Sequence, residues 1–182
     1  MADIFVGLDP SLTAFGVAVV SGDGVYEDTW LIRSAKRGVD RLLDISYQLT
    51  DTFADVQQSG DRIVDVAMED TVRSSFSASA LGELAGVTKT TCHTVLRGRA
   101  QYPLRVPPTT LKKFATGRGN AKKAEILLSV YKKWGREILD DNEADAYVLA
   151  RIASGHANLA YEREILSQLR AEKFRDGGVD DF

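Results

Sequence analysis

Short apolar runs rich in β-branched and aromatic residues recur along the chain and predict five strands. The first three follow one another at residues 3–9, 15–20 and 25–33, separated only by short turns such as PSLT and SGDG. Connections this short predict an antiparallel meander. Two further strands are predicted at 62–70 and 104–108, and prolines end the last of them.

Between and after these strands, apolar residues recur at the spacing of one helix face. The periodicity predicts six helices, at 39–58, 77–96, 109–117, 120–135, 142–157 and 159–174. Asn120 is the predicted N-cap of the fourth helix, and Gly135 is its predicted end. The second helix is rich in small residues, which allows close packing.

The order of these elements predicts an α/β fold, in which a mixed sheet has helices on its faces. The chain has 182 residues, enough for one domain with a sizeable core. We expect the folded domain at 1–157, a C-terminal helix at 158–175 and a disordered acidic tail at 176–182.

Composition narrows the class of protein. The apolar fraction of 44% and the charged fraction of 27% are ordinary for a globular domain, and no apolar run reaches the roughly 18 residues of a membrane span. The N-terminus shows no secretory signal. The single cysteine, Cys92, excludes an intrachain disulfide and fits the reducing cytoplasm. Its neighbour His93 does not by itself make a zinc site with it.

Charge is distributed unevenly along the chain. The formal net charge is −3, which argues against a generic nucleic-acid binder. Residues 97–136, however, contain eleven lysines and arginines and one acid, Glu125. Such a concentration is typical of a polyanion-binding surface. The alternative is a solvated helix face, to which Lys132, Lys133 and Arg136 could equally belong.

Three acidic residues occupy positions that the topology could bring together. Asp9 ends the first strand, Glu69 ends the fourth, and Asp145 lies early in the helix 142–157. If the first and fourth strands are neighbours, the three carboxylates meet at one sheet edge. Like charges so close repel unless hard cations such as Mg²⁺ or Mn²⁺ neutralise them. The alternative for Asp9 is an ordinary turn-capping aspartate.

The sequence resembles a known family, the RuvC-type Holliday junction resolvases of the RNase H-like superfamily, in a phage version. The resemblance covers roughly residues 3–155, through GLDPSLTAFGVAVV, AMED, SASALGELAGV, VPPTTLKKFATGRGNAKK and EADAYVLA. The fourth stretch is the most specific, because it has a lysine on each side of a glycine turn. The resemblance implies an RNase H-like sheet, an antiparallel meander of three strands plus parallel strands, with helices on both faces.

The resemblance also implies roles for individual residues. Asp9, Glu69 and Asp145 would be catalytic metal ligands, and Lys112 and Lys123 would act at the scissile region. The implied DNA contacts are Phe76, Lys112, Lys113, Arg118, Lys122 and Lys123. The implied cofactor is Mg²⁺, with Mn²⁺ as a substitute, and the helix 77–96 would join two copies into a homodimer.

The sequence departs from the family pattern at three positions. Ser11 stands where the family has glycine, and Val72 where it has an aromatic residue, so that Phe76 is the nearest aromatic. Asn142 stands where a fourth acid is expected, and Asp141 precedes it. Both are candidate metal ligands. We expect Asp141 to supply charge and Asn142 to orient the site or cap the helix.

The favoured hypothesis is a homodimeric, metal-dependent endonuclease that resolves four-way DNA junctions by paired symmetric nicks. One alternative is a protein that binds branched DNA with weak or lost catalysis, which Asn142 suggests. Another is an actin-like or sugar-kinase-like phosphotransferase, which also opens on a strand and an aspartate but needs a second, repeated half.

Overall fold

The computed structural model describes residues 1–70, 78–170 and 175, which form a five-stranded sheet flanked by helices. The strands are β1 (Asp3–Asp9), β2 (Phe15–Ser21), β3 (Glu27–Ile32), β4 (Arg62–Glu69) and β5 (Leu104–Val106). Their spatial order is β3-β2-β1-β4-β5. The first three strands pair antiparallel, while β4 lies parallel to both β1 and β5. The predicted mixed sheet is therefore confirmed.

Within the described ranges, six α-helices pack around this sheet, and a short 3₁₀ helix (Gly98–Gln101) precedes β5. The α-helices are α1 (Gly38–Gln58), α2 (Ala78–Val95), α3 (Pro108–Thr116), α4 (Lys123–Trp134), α5 (Asp141–Ser154) and α6 (Ala160–Leu169). One apolar core lies between the sheet and α1 and α2, and a second lies between the opposite sheet face and α3 to α6. Helices therefore cover both faces, as predicted. No helix in the described ranges has both the length and the apolar content needed to cross a membrane.

Two helix starts differ from the sequence prediction. Helix α4 begins at Lys123 rather than at Asn120, because the Glu125 carboxylate accepts the Lys122 backbone N–H at 2.7 Å and closes the first turn there. Helix α5 is capped by Asp140 rather than by Asn142. The Asp140 carboxylate accepts the backbone N–H groups of the second and third helical residues at 2.9 and 3.3 Å.

Helix α5 lies unusually close to the centre of the sheet. A Cβ atom added at Gly7 would stand 1.9 Å from the Ala146 backbone oxygen, and one added at Gly16 would stand 2.2 Å from the Asn142 oxygen. Only glycine fits under the helix at these two points of β1 and β2. The contact fixes the first half of α5 above the ends of these strands, where Asp9 pairs with Gly16.

Lys133 joins the C-terminal helix to the domain. Its ammonium donates to the Glu162 carboxylate at 2.6 Å and to the Phe114 carbonyl and the Tyr161 hydroxyl at 2.8 Å. Burial raises the pKa of Glu162, but the hydrogen bond from the Lys133 ammonium and two hydrogen bonds from backbone N–H groups outweigh burial, so the pKa is lowered. Lys133 is thus part of the packing between α3, α4 and α6 and does not belong to a solvated helix face.

Other basic residues of the 97–136 segment also pair with buried or partly buried acids. Arg99 contacts the buried Asp65 of β4 at 3.0 Å, and Arg175, which lies outside the segment, contacts the same carboxylate at 2.7 Å. Arg136 lies 3.9 Å from Glu27 of β3, which also pairs with Arg151 of α5. The segment is therefore only partly available to a polyanion.

Cys92 is fully buried in α2, where burial raises the pKa of its thiol to about 12. The neighbouring His93 instead faces Tyr102, with 5.4 Å between the ring centroids. These two residues do not form a metal site.

Candidate active site

The site lies at the edge of the sheet where β1 and β4 end. These strands are parallel neighbours, with Leu8 paired to Met68, so the residues that follow, Asp9 and Glu69, end side by side. Helix α5 crosses the same edge and adds Asp145. The structure therefore brings together the three acids that the sequence places at strand and helix ends.

Burial and mutual repulsion perturb all three carboxyls. Burial, then the charges of Glu69 and Asp145, raise the pKa of Asp9 well above its usual range. Burial is also the main cause that raises the pKa of Glu69, although a hydrogen bond with the Asp9 carboxyl opposes it. Burial and the Glu69 charge raise the pKa of Asp145 to about 7. Negative charge is therefore crowded here beyond what the protein neutralises.

Two lysines partly offset this charge. Lys112 of α3 and Lys123 of α4 each lower the pKa of Glu69 and Asp145, and Lys123 also acts on Asp9. The Lys123 ammonium forms an ion pair with the Asp141 carboxylate at the start of α5. The two lysines that flank the glycine turn in sequence thus approach the carboxylates from two different helices.

The donor chemistry fits a hard divalent cation. The Oδ1 atom of Asp145 is buried and accepts no hydrogen bond, although buried carboxylate oxygens normally find a partner. Oxygen donors of this kind suit Mg²⁺ or Mn²⁺. Among the described residues, however, no three Asp, Glu, His or Cys side chains stand close enough to surround one ion as they are placed. The site therefore contains oxygen donors suited to a divalent cation, but their side chains are not arranged around one common point.

The two further candidate ligands have other partners in the structure. Asp141 pairs with Lys123, as described. The Asn142 side-chain amide donates to the Ala14 backbone oxygen at 2.9 Å, and this oxygen belongs to the turn between β1 and β2. Asn142 therefore orients that turn and does not cap α5.

The predicted DNA contacts cluster where α3 gives way to α4. Lys113, Arg118 and Lys122 are exposed there, and Arg118 also pairs with Glu125. Gly117 ends α3 with a φ of +83°, which favours glycine, and this sharp turn exposes the segment. Phe76 lies outside the described residues.

Asp140, the N-cap of α5, shapes the site although it is not among the residues predicted from the sequence. A signal for it exists, because Asp140 precedes Glu143 by three residues, the spacing of a capping box. No sequence signal identifies Ala14 as the partner of Asn142, since a backbone oxygen has no side-chain signature.

Comparison with known proteins gives a consistent picture. No family model matches the chain. The crossover junction endodeoxyribonuclease RuvC of Chlamydia muridarum is 28% identical over 93% of this chain and 99% of the relative. RuvC of Chlamydia trachomatis serovar A is likewise 28% identical, with the same coverage.

Solved structures agree at the level of the fold. Thermus thermophilus RuvC superposes with a TM-score of 0.63 over 81% of this chain and 90% of its own, at 19% identity. The same protein in complex with a Holliday junction substrate gives a TM-score of 0.62 at 17% identity. The resemblance drawn from the sequence and the RNase H-like fold class are thereby confirmed. The phage origin stays a prediction.

Proposed function

We propose that this chain is a RuvC-type crossover junction endonuclease, which resolves four-way DNA junctions by paired symmetric nicks with divalent metal ions. One observation supports this most directly. In a fold similar to RuvC, the ends of β1 and β4 and the start of α5 bring Asp9, Glu69 and Asp145 together, and two lysines act on them. Relatives named for this activity match nearly the whole chain.

In this proposal Asp9, Glu69 and Asp145 hold Mg²⁺, or Mn²⁺ in its place, and Asp141 adds negative charge beside them. Divalent ions, when bound, supply Lewis acidity toward the phosphodiester and the attacking water. The protein contributes a desolvated cluster of oxygen donors, in which one carboxylate oxygen lacks a hydrogen-bond partner. Lys112 and Lys123 place positive charge where the negative charge of the scissile phosphate arrives.

The surrounding basic surface would hold the junction arms. Lys113, Arg118 and Lys122 are exposed around the α3–α4 turn and are close in sequence to Lys112 and Lys123, whose charges act on Asp145. Such contacts fix the position of a DNA backbone without reading its sequence. Phe76 remains a predicted contact to a base.

A homodimer fits both the substrate and one face of the protein, since a two-fold dimer presents two equivalent sites to a two-fold junction. Helices α1 and α2 border an apolar groove in which Leu43 is 46% exposed. Along α2, a Cβ atom at Gly82 or Gly86 would meet nothing within 4 Å, so a second helix can approach closely there. Because the proposed substrate is DNA inside a cell, we place the protein in the cytoplasm, which is that of the bacterial host if a phage encodes it.

The decisive experiment compares a labelled four-way junction with a linear duplex built from the same arms. The protein is incubated with each DNA in Mg²⁺, Mn²⁺ or EDTA. We expect paired nicks in the junction with either metal, no cleavage in EDTA and little cleavage of the duplex. The Asp9→Asn variant should bind the junction but lose cleavage by at least about a hundredfold, because a buried donor oxygen is removed. Cleavage by this variant at a near wild-type rate would contradict the assignment.

A second candidate function is binding of branched DNA with weak or lost catalysis. Two observations favour it: Asn142 replaces the expected acid, and the described acids do not outline an ion. Tight junction binding by the wild-type protein, with no nicks in either metal, would support this candidate. No comparison supports the phosphotransferase alternative.

A further inference from the structure

Asn142 contacts the loop that follows β1, the strand that ends at Asp9. Its side-chain Nδ2 donates to the backbone oxygen of Ala14 at 2.9 Å. Ala14 directly precedes β2 and closes the turn that begins after Asp9. One side-chain hydrogen bond therefore ties the first turn of α5 to the connection between β1 and β2.

The backbone of Asn142 contacts the same part of the sheet. Its carbonyl oxygen lies so close to Gly16 that an added Cβ atom would stand 2.2 Å away. Gly16 is in turn the antiparallel partner of Asp9 in the sheet. Asn142 thus lies directly over the residue pair that contains Asp9, and it precedes Asp145 by about one helical turn.

We infer that Asn142 is a positioning residue, which holds Asp145 opposite Asp9 by clamping α5 to the β1–β2 turn, and that a carboxylate cannot replace it. The inference rests on the proposed function only for its effect on catalysis. A carboxylate at 142 could not donate to the Ala14 carbonyl, and its charge would face that oxygen's lone pairs. It would also add a negative charge near acids that already repel one another.

The family resemblance gives the opposite expectation for position 142. If position 142 were a metal ligand, Asn142→Asp would restore the family's acid and strengthen metal binding. If Asn142 is a clamp, the same substitution breaks the hydrogen bond to Ala14 and weakens metal binding. The two roles therefore predict opposite signs for one substitution.

The experiment measures the melting temperature of the full-length protein in EDTA and in saturating Mg²⁺, for wild type, Asn142→Asp and Asn142→Ala. Asn158→Asp is the matched control, because Asn158 is exposed beyond the far end of α5. We expect both Asn142 variants to melt at a lower temperature than wild type in EDTA. We also expect the increase in melting temperature caused by Mg²⁺ to be at most half of the wild-type increase in both variants, and to be unchanged in the control. Junction cleavage should fall about tenfold or more, with junction affinity in EDTA nearly unchanged.

Two outcomes would overturn the inference. If Mg²⁺ raises the melting temperature of Asn142→Asp more than that of wild type, position 142 is a ligand position. If Asn142→Asp melts lower in EDTA but Mg²⁺ raises its melting temperature as much as in wild type, Asn142 has only a structural role. If Asn142→Asp fails to fold, Asn142→Ala decides through its melting temperature in EDTA. A clamp that bonds to Ala14 predicts a lower melting temperature without metal, and a value equal to wild type would overturn the inference. Failure of the proposed function would look different: the wild-type protein would not cut the junction, while the Mg²⁺-induced rise could still be compared.

Discussion

The Lys123 ammonium forms an ion pair with the Asp141 carboxylate, and this contact joins the first residue of α4 to the first residue of α5. The same ammonium lowers the pKa of Asp9, Glu69 and Asp145. Asp141 therefore holds the Lys123 ammonium beside the buried carboxylates and adds one negative charge to the edge of the site. Neutralising Asp141 would remove both the ion pair and this charge.

We expect Asp141→Asn to raise the Mg²⁺ concentration for half-maximal junction cleavage several-fold, because a negative charge leaves the site and Lys123 loses its partner. Junction affinity in EDTA should hold or tighten, since the surface becomes less negative. Mg²⁺ titrations of cleavage rate and binding isotherms measure the two effects. As a control, Asp23→Asn removes an exposed acid at the turn before β3. If Asp141→Asn needs the same Mg²⁺ concentration as wild type for half-maximal cleavage, Asp141 has no role in metal binding.

Metal-free protein should lose stability as the pH rises from about 4 to about 7. The folded protein holds the Asp145 proton up to a pKa of about 7, whereas the unfolded chain releases it near 3.8. The native state thus binds more protons in this window, and the free energy of unfolding falls with pH. We expect a loss on the order of 1–3 kcal/mol relative to Asp145→Asn.

Urea unfolding in EDTA at pH 5 and pH 8 measures this loss, with Asp145→Asn as the reference variant. Added Mg²⁺ should restore stability at pH 8, since a cation neutralises the crowded carboxylates. If wild type and Asp145→Asn show the same change between pH 5 and pH 8, the Asp145 carboxyl is not perturbed in the metal-free fold.

Gly16→Ala should lower the free energy of unfolding by at least about 1–3 kcal/mol, because the added methyl group would overlap backbone atoms of α5. Backbone atoms cannot move aside as the end of a side chain can. Cleavage should fall further than stability explains, since α5 also positions Asp145. The control is Gly22→Ala directly after β2, where the new Cβ would meet a Phe5 side-chain atom at an ordinary 3.4 Å. Urea unfolding and cleavage rates measure both effects, and equal behaviour of the two variants would refute the close approach.

The exposed lysines near the α3–α4 turn should account for part of the salt dependence of DNA binding. Lys113→Ala and Lys122→Ala should each reduce the slope of log affinity against log salt by about one if each contacts a phosphate. Arg62→Ala is the control, because Arg62 pairs with Asp3 at the start of β4, away from Glu69. Binding titrations across a range of salt concentrations give the slopes. If both lysine variants give the same slope as wild type, Lys113 and Lys122 do not contact phosphates and are solvated surface residues.

Much of the fold follows from local sequence patterns. The apolar runs and short turns predict the β1–β2–β3 meander, and the ends of β1 and β4 predict that Asp9 and Glu69 meet once these strands are neighbours. Helix α5 could be recognised from its periodicity, although its start could not. Asp140, Asp141 and Asn142 are all good capping residues, so tertiary packing decides which of them caps the helix.

The partners of charged side chains were far less predictable. Lys133 has the sequence surroundings of a solvated lysine, yet it bonds to Glu162, a residue from a helix that follows much later. Asp65 likewise pairs with Arg99 across an interval that no local pattern spans. These pairings depend on how helices pack, and sequence periodicity contains no such information. The same holds for the bond between Asn142 and Ala14.

The burial of Cys92 has a practical consequence for solution spectroscopy. Maleimide reagents attack the thiolate, and a thiol with a pKa of about 12 inside the core supplies almost none at neutral pH. Toward such reagents the folded protein therefore behaves as if it had no cysteine. A cysteine introduced at an exposed position such as Gln58, at the end of α1, would be the single site for a dye. Energy transfer from that dye to a labelled DNA arm would then report binding of a four-way junction, with the native core left intact.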